Sequence, residues 1–229
     1  MPKLRAIAVA LFAAAALPAA AAPSQPIVVE LFTSQGCSSC PPANEAVGKL
    51  ADRPGVIALS FGVTYWDYLG WKDTFARADY TERQRAYAKA LGRSGPYTPQ
   101  VVVNGAADTV GNTAAKIDKL IVARRAPAAT DIALSPGLVR VGAGKAPTGG
   151  ADVWLVSYDP RIVQIPVKRG ENTGKTLPHR NVVRDLRRLG RWTGSEAAFK
   201  APSSASGLRT VVLVQAPNGG AILAAKAAG

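Results

Sequence analysis

The chain has 229 residues, with 28 Lys and Arg against 15 Asp and Glu, and its two cysteines share one four-residue motif. No disulfide framework can be built from two such neighbours, so the fold must stand on an apolar core. The net charge of +13 favours acidic surfaces. Nucleic acid is not the expected partner, because the basic residues are spread along the chain, at their densest only Arg184, Arg187, Arg188 and Arg191.

Lys3 and Arg5, an apolar run at 6–17 and small residues at 19–22 form the three-part layout of a secretory leader, with cleavage expected after Ala21. The apolar run is shorter than the roughly 20 residues that span a bilayer, and no later charge-free run reaches that length. No integral membrane segment is therefore expected after cleavage. Losing Lys3 and Arg5 takes the basic count from 28 to 26 against 15 acids, leaving +11, enough to favour contact with an anionic envelope surface. A periplasmic or secreted bacterial product of about 205 residues is expected, divided as 22–126 and 127–229. The join falls near Pro127, where small residues fit a linker better than a packed element.

In the first unit, residues 27–32 read as a buried strand and 41–51 as a helix with Ala43, Val47 and Leu50 on one face. Residues 56–63 are a second buried strand, and 74–91 an amphipathic helix stopped at Gly92. Residues 100–103 form a third strand, Asn104-Gly105 a hairpin turn and 107–110 the return, before a last helix at 113–123. The order βαβαββα, with right-handed crossovers, gives a four-stranded mixed sheet covered by helices, the minimal thioredoxin-like architecture. The second unit offers strands at 132–141, 152–158, 162–168, 182–189 and 209–215, then an Asn218-Gly219 turn before 221–225. A β-rich, sandwich-like domain is expected. Residues 182–189 also fit a helix, since Val183, Leu186 and Leu189 recur at threes.

Gly36-Cys37-Ser38-Ser39-Cys40-Pro41 falls where a strand feeds a helix. There the first thiol meets unpaired backbone N–H groups and the positive end of the helix dipole, which favour a thiolate. Cys37 is thus the expected nucleophile, and Cys40 is close enough in sequence to resolve a mixed disulfide. Thr98-Pro99 precedes the third strand, at a place where a proline belongs on the edge. Taken alone such a bond is usually trans. Thioredoxin-like folds, however, carry a cis-proline loop facing the cysteines, and Pro99 occupies the matching place, so a cis peptide is expected. Thr98, Pro99, Tyr65 and Trp66 are the candidate substrate contacts, with Tyr68 and Trp71 extending an aromatic wall that core packing would equally explain. Glu30, on the strand leading into the motif, is a candidate for proton transfer. A structural metal normally takes four ligands, and beyond the two cysteines the chain has only His179 to add. The segment 170–175 is a tight turn without the spacing of a phosphate loop.

The run VVELFTSQGCSSCPP from Val28 to Pro42 resembles the DUF1223 family of secreted thioredoxin-like proteins. So do Tyr65-Trp66-Asp67-Tyr68-Leu69-Gly70-Trp71-Lys72-Asp73, Arg83-Gln84-Arg85-Ala86-Tyr87-Ala88, Tyr97-Thr98-Pro99-Gln100, Arg169-Gly170-Glu171-Asn172 and Asn181-Val182-Val183-Arg184. The resemblance implies a thioredoxin-like domain followed by a β-rich one, and a cis-proline loop that binds substrate backbone beside the reactive sulfur. It lends fold more than activity, the family being named for having no assigned function. Where the family carries a Phe-His-Val-Asp-like pattern at the end of the second strand, this chain has Phe61-Gly62-Val63-Thr64, without the histidine and the acid.

The expected function is an exported thiol–disulfide oxidoreductase acting on protein or small-molecule thiols, with no resident cofactor. The alternatives are an envelope-binding module with a structural disulfide, and a copper or zinc chaperone using Cys37, Cys40 and His179. Ser38 and Ser39 give no indication whether the pair oxidises or reduces its partner.

Overall fold

The structure, a computed structural model, describes residues 25–124 and 128–228. The expected leader and the expected boundary at 126/127 lie outside these residues.

The first half runs β1 (Ile27–Thr33), α1 (Pro41–Leu50), β2 (Val56–Gly62), α2 (Ala78–Ala90), β3 (Gln100–Val103), β4 (Ala107–Thr109) and α3 (Ala114–Ala123). Every residue of β1 is buried, and its alternation divides two cores. Ile27, Val29 and Leu31 meet α1 and α3, while Val28 and Phe32 face Tyr80 and Tyr87 of α2. Each such aliphatic or aromatic side chain contributes about 1.5–3 kcal/mol by its burial, which makes β1 the spine of the molecule. Pro41 and Pro42 open α1, where their missing N–H groups cost nothing. The second helix begins at Ala78 instead of residue 74. Asp73 takes the N–H of Phe75, and Ala76 bridges to Gly62, so the intervening residues run alongside β2 before the helix can start.

The second half contributes β5 (Ile132–Ser135), β6 (Leu138–Val141), β7 (Ala151–Asp159), β8 (Val163–Pro166), β9 (Thr176–His179), β10 (Val182–Trp192), β11 (Ala197–Lys200), β12 (Arg209–Gln215) and β13 (Ile222–Ala227). The single strand expected at 132–141 is a hairpin, turned at Pro136-Gly137 with Gly137 at φ 78°. Residues 182–192 are a strand and not a helix, while β9 and β11 had no counterpart in the sequence pattern.

Four of these strands, β7, β10, β12 and β13, extend the first sheet into one of eight strands, ordered β13-β12-β7-β10-β2-β1-β3-β4. The expected four-stranded mixed sheet, β2-β1-β3-β4, is one end of it. The join is parallel pairing of β10 with β2 at Val182 and Ser60, reinforced by Asn181, whose Nδ2–H donates to the Ala58 carbonyl at 2.8 Å. The sheet also curls, so that Ile222 at the start of β13 donates its N–H to the Asn104 carbonyl in the β3–β4 turn at 2.8 Å. A three-stranded sheet, β11-β6-β5, covers the β-rich end through Val139, Val141, Val153, Trp192 and Val212. The β8–β9 hairpin lies against α1.

Candidate functional site

Beyond β1 the chain turns through Ser34, Gln35 and Gly36 to Cys37, and Cys40 is the N-cap of α1. Cys37 therefore sits one turn ahead of the helix, and it is Cys40 that meets the helix terminus. The two form a disulfide with Cα atoms 5.5 Å apart, within the ordinary range. Both cysteines are wholly buried, whereas Ser38 and Ser39 between them are exposed.

Several expected residues converge on this pair. The Thr98-Pro99 peptide is cis, and the Thr98 hydroxyl donates to Cys37 Sγ at 3.3 Å. Trp66 Nε1–H in turn donates to Thr98 Oγ1 at 2.7 Å, so a tryptophan–threonine–cysteine chain crosses from one loop to the other. A second hydroxyl, Ser39 Oγ, lies 3.3 Å from the same sulfur. Tyr65 packs beside Trp66 with its phenol pushed up by burial, and Tyr68, 78% exposed, stacks on Trp66 from the solvent side. Trp71 is not on this face. Its Nε1–H donates to the Gln35 side-chain oxygen at 2.9 Å and braces the turn from behind. Asp73 helps, accepting the Gln35 N–H at 2.7 Å; burial pushes its carboxyl up.

Glu30 lies elsewhere. Its carboxylate accepts from Arg83 Nε at 2.8 Å and Nη2 at 3.1 Å and from the Tyr87 hydroxyl, all buried. Glu30 stands seven residues before Cys37, and strand alternation turns it with Val28 and Phe32 toward α2, on the face away from α1. Gln215 of β12 accepts from Arg83 Nη1 at 3.1 Å, so this network joins the two halves inside the curled sheet.

His179 is buried against Phe75, ring centroids 5.4 Å apart, with Nε2 unpartnered, and burial lowers its pKa to about 4. Among the described residues no three His, Cys, Asp or Glu side chains converge as a metal ion requires, so Cys37, Cys40 and His179 form no common site. At Gly62 a Cβ would come within 2.8 Å of the Ala76 nitrogen, and Thr64 is tied to the Thr81 hydroxyl at 3.0 Å. The densest basic run is largely neutralised: Arg184 lies 3.5 Å from Asp159, Arg187 2.5 Å from Asp185 and Arg188 2.6 Å from Asp152.

The residues that sequence reasoning missed come from the loop between β8 and β9. Asn172 is wholly buried and donates Nδ2–H to the carbonyls of Gln35 at 3.0 Å and Cys37 at 2.9 Å. Glu171 accepts the Ser38 N–H at 2.8 Å, which holds its carboxyl below the usual range. The only hints in the sequence were a Gly-bounded polar turn and the resemblance at 169–172.

A family model described as "Protein of unknown function (DUF1223)" matches residues 28–215. The chain belongs to the DUF1223 family. This DUF1223 chain is similar to a crystal structure of a protein from Agrobacterium tumefaciens, with 34% identity and a TM-score of 0.74 over 90% of this chain and 95% of that one. It also shares the fold of HBP35 of Porphyromonas gingivalis, with 14% identity and a TM-score of 0.55 over 90% of this chain and 75% of that one. No curated protein matches it.

Proposed function

We propose that this DUF1223 protein is an exported, periplasmic or secreted, thiol–disulfide oxidoreductase whose first half is thioredoxin-like. The observation that carries the reading is the Cys37–Cys40 disulfide at a strand-to-helix junction, opposed by the cis Thr98-Pro99 peptide with the Thr98 hydroxyl on Cys37 Sγ. A hydroxyl donor at a sulfur stabilises the thiolate more than the thiol, so it favours Cys37 as nucleophile. The four-strand order β2-β1-β3-β4, with helices on both faces, supports the fold.

In the reduced protein the Cys37 thiolate attacks one sulfur of a substrate disulfide and displaces the other as a thiolate, which takes a proton. Cys40 then loses its proton and attacks Cys37 Sγ in the mixed disulfide, releasing the second substrate thiol and leaving the Cys37–Cys40 disulfide. Two electrons pass to the substrate, and the same steps in reverse oxidise a dithiol. In this reading Thr98 and Pro99 are the loop that takes extended polypeptide beside the sulfur, and the Trp66–Tyr68 stack supplies an apolar shelf. The excess positive charge suits a partner on an anionic envelope surface.

A binding module with a structural disulfide is the second reading, favoured by the complete burial of both cysteines beneath the loop bearing Asn172. Exchange between the mature protein and a disulfide-bonded protein substrate separates the two. The oxidoreductase reading requires turnover that Cys37→Ser abolishes; retained turnover in that variant, or none in the wild type, excludes it.

A further inference from the structure

The second half reaches the cysteines at three backbone points. Asn172 holds the carbonyls on either side of Gly36, and Glu171 takes the N–H of Ser38, the residue that follows Cys37. Gly170 makes this approach possible by adopting φ 81°, with its Cβ position 3.8 Å from Gly36 Cα and from Trp71. The result is a carboxylate fixed on the dipeptide between the two sulfurs. Nothing in the disulfide form opposes it, because neither sulfur is charged.

Reduction changes that. A Cys37 thiolate would then share its loop with a carboxylate that is bonded to the N–H of the next residue at 2.8 Å, and a nearby like charge disfavours ionisation. The Ser38 N–H, a donor the thiolate would otherwise attract, is already engaged. The other charges nearby are Lys175, whose Nζ rests on Asn172 Oδ1 at 3.1 Å; Asp73, beneath Gln35; and Arg169, whose stem lies against Gly70. Lys175 opposes the effect of Glu171 and Asp73 adds to it, but among the described charged residues only Glu171 bonds the backbone between the cysteines.

We propose that Glu171 is a positioning residue of the redox pair: by holding the Ser38 N–H with a negative charge it disfavours the Cys37 thiolate and tilts the equilibrium toward the disulfide. This rests on the oxidoreductase reading and deepens it, since it makes the reduced protein a better electron donor than its motif alone would be. The β-rich half then sets the redox poise of the first half.

Glu171→Gln tests it, because the amide oxygen still accepts the Ser38 N–H and only the charge is lost. The inference predicts that this variant lowers the pKa of Cys37, read from thiolate absorbance. It also predicts that disulfide formation becomes three- to tenfold less favourable in graded thiol buffers at a pH where Cys37 is ionised, a rise in potential of about 15–30 mV. Wild-type protein gives an independent reading: because Glu171 is exposed, raising the salt concentration should move its Cys37 pKa in the same direction and the variant's much less. Unchanged pKa and equilibrium in Glu171→Gln would reduce Glu171 to a cap on the loop and overturn the inference. If thiol buffers cannot reduce the wild-type pair at all, the parent reading fails. Phosphine-reduced protein then still gives the Cys37 pKa, and a drop in the variant would uphold the charge effect while no drop would end it.

Discussion

Asn172 donates its side-chain amide to the Cys37 carbonyl at 2.9 Å, across 135 positions of sequence. The same nitrogen serves the Gln35 carbonyl, and all three residues are wholly buried. Truncation to Asn172→Ala would strand two buried acceptors, each worth about 1–3 kcal/mol. The variant should lose about 2–4 kcal/mol in urea unfolding, and its disulfide should be reduced faster by small thiols as the loop lifts.

Thr98 links the aromatic shelf to the sulfur. Thr98→Val keeps the shape but removes the donor to Cys37 Sγ and leaves Trp66 Nε1 without its acceptor. A lost hydrogen bond to a charged group is worth about one pKa unit, so the Cys37 pKa should rise by about that much in the variant. The pH profile of alkylation by iodoacetamide measures it. A profile identical to wild type would remove Thr98 from the site.

Much of the site lies plainly in the sequence. The apolar run of β1, the Cys-Ser-Ser-Cys-Pro-Pro junction and the proline before β3 each follow from local rules, and the structure joins them as expected at the disulfide. Glu30 is near the cysteines in sequence, but strand parity turns its side chain to the α2 face, away from them. The strand β10 was ambiguous for a different reason. Irregularities between Val183 and Asp185 and between Arg188 and Gly190 break its alternation, so its apolar residues recur at threes and imitate a helix. For residues 170–175 the sequence showed a tight turn but not what it touches. Their partners are backbone groups more than 130 positions away, and backbone groups leave no trace in residue identity.

The core network yields a prediction of its own. Arg83 and Glu30 are both buried, 5% and 0% exposed in their side chains, and each is the other's counter-ion. Removing one partner, as in Arg83→Met, leaves an unpaired buried charge and should cost about 3–5 kcal/mol. The double change Glu30→Met with Arg83→Met should cost much less than the sum of the singles, as measured by a double-mutant cycle in urea.

His179 makes stability depend on pH. Its pKa falls from an ordinary value near 6.5 to about 4 because burial penalises the imidazolium. Between those values the unfolded chain binds a proton that the native protein refuses, so stability is whole above about pH 6.5 and falls as the pH drops toward 4. The loss is on the order of 3 kcal/mol. The stability difference between wild type and His179→Leu should change by that amount across the window, while above pH 7 it should stay constant.

The most direct test of the central claim is the redox equilibrium of Cys37 and Cys40, obtained by trapping free thiols after mature protein has been equilibrated in graded dithiol buffers. The oxidoreductase reading predicts a potential above about −300 mV, within reach of cellular thiol partners, with exchange that requires Cys37. A disulfide still intact well below that potential, with Cys37 unreactive once reduced, would contradict it and make the bond structural.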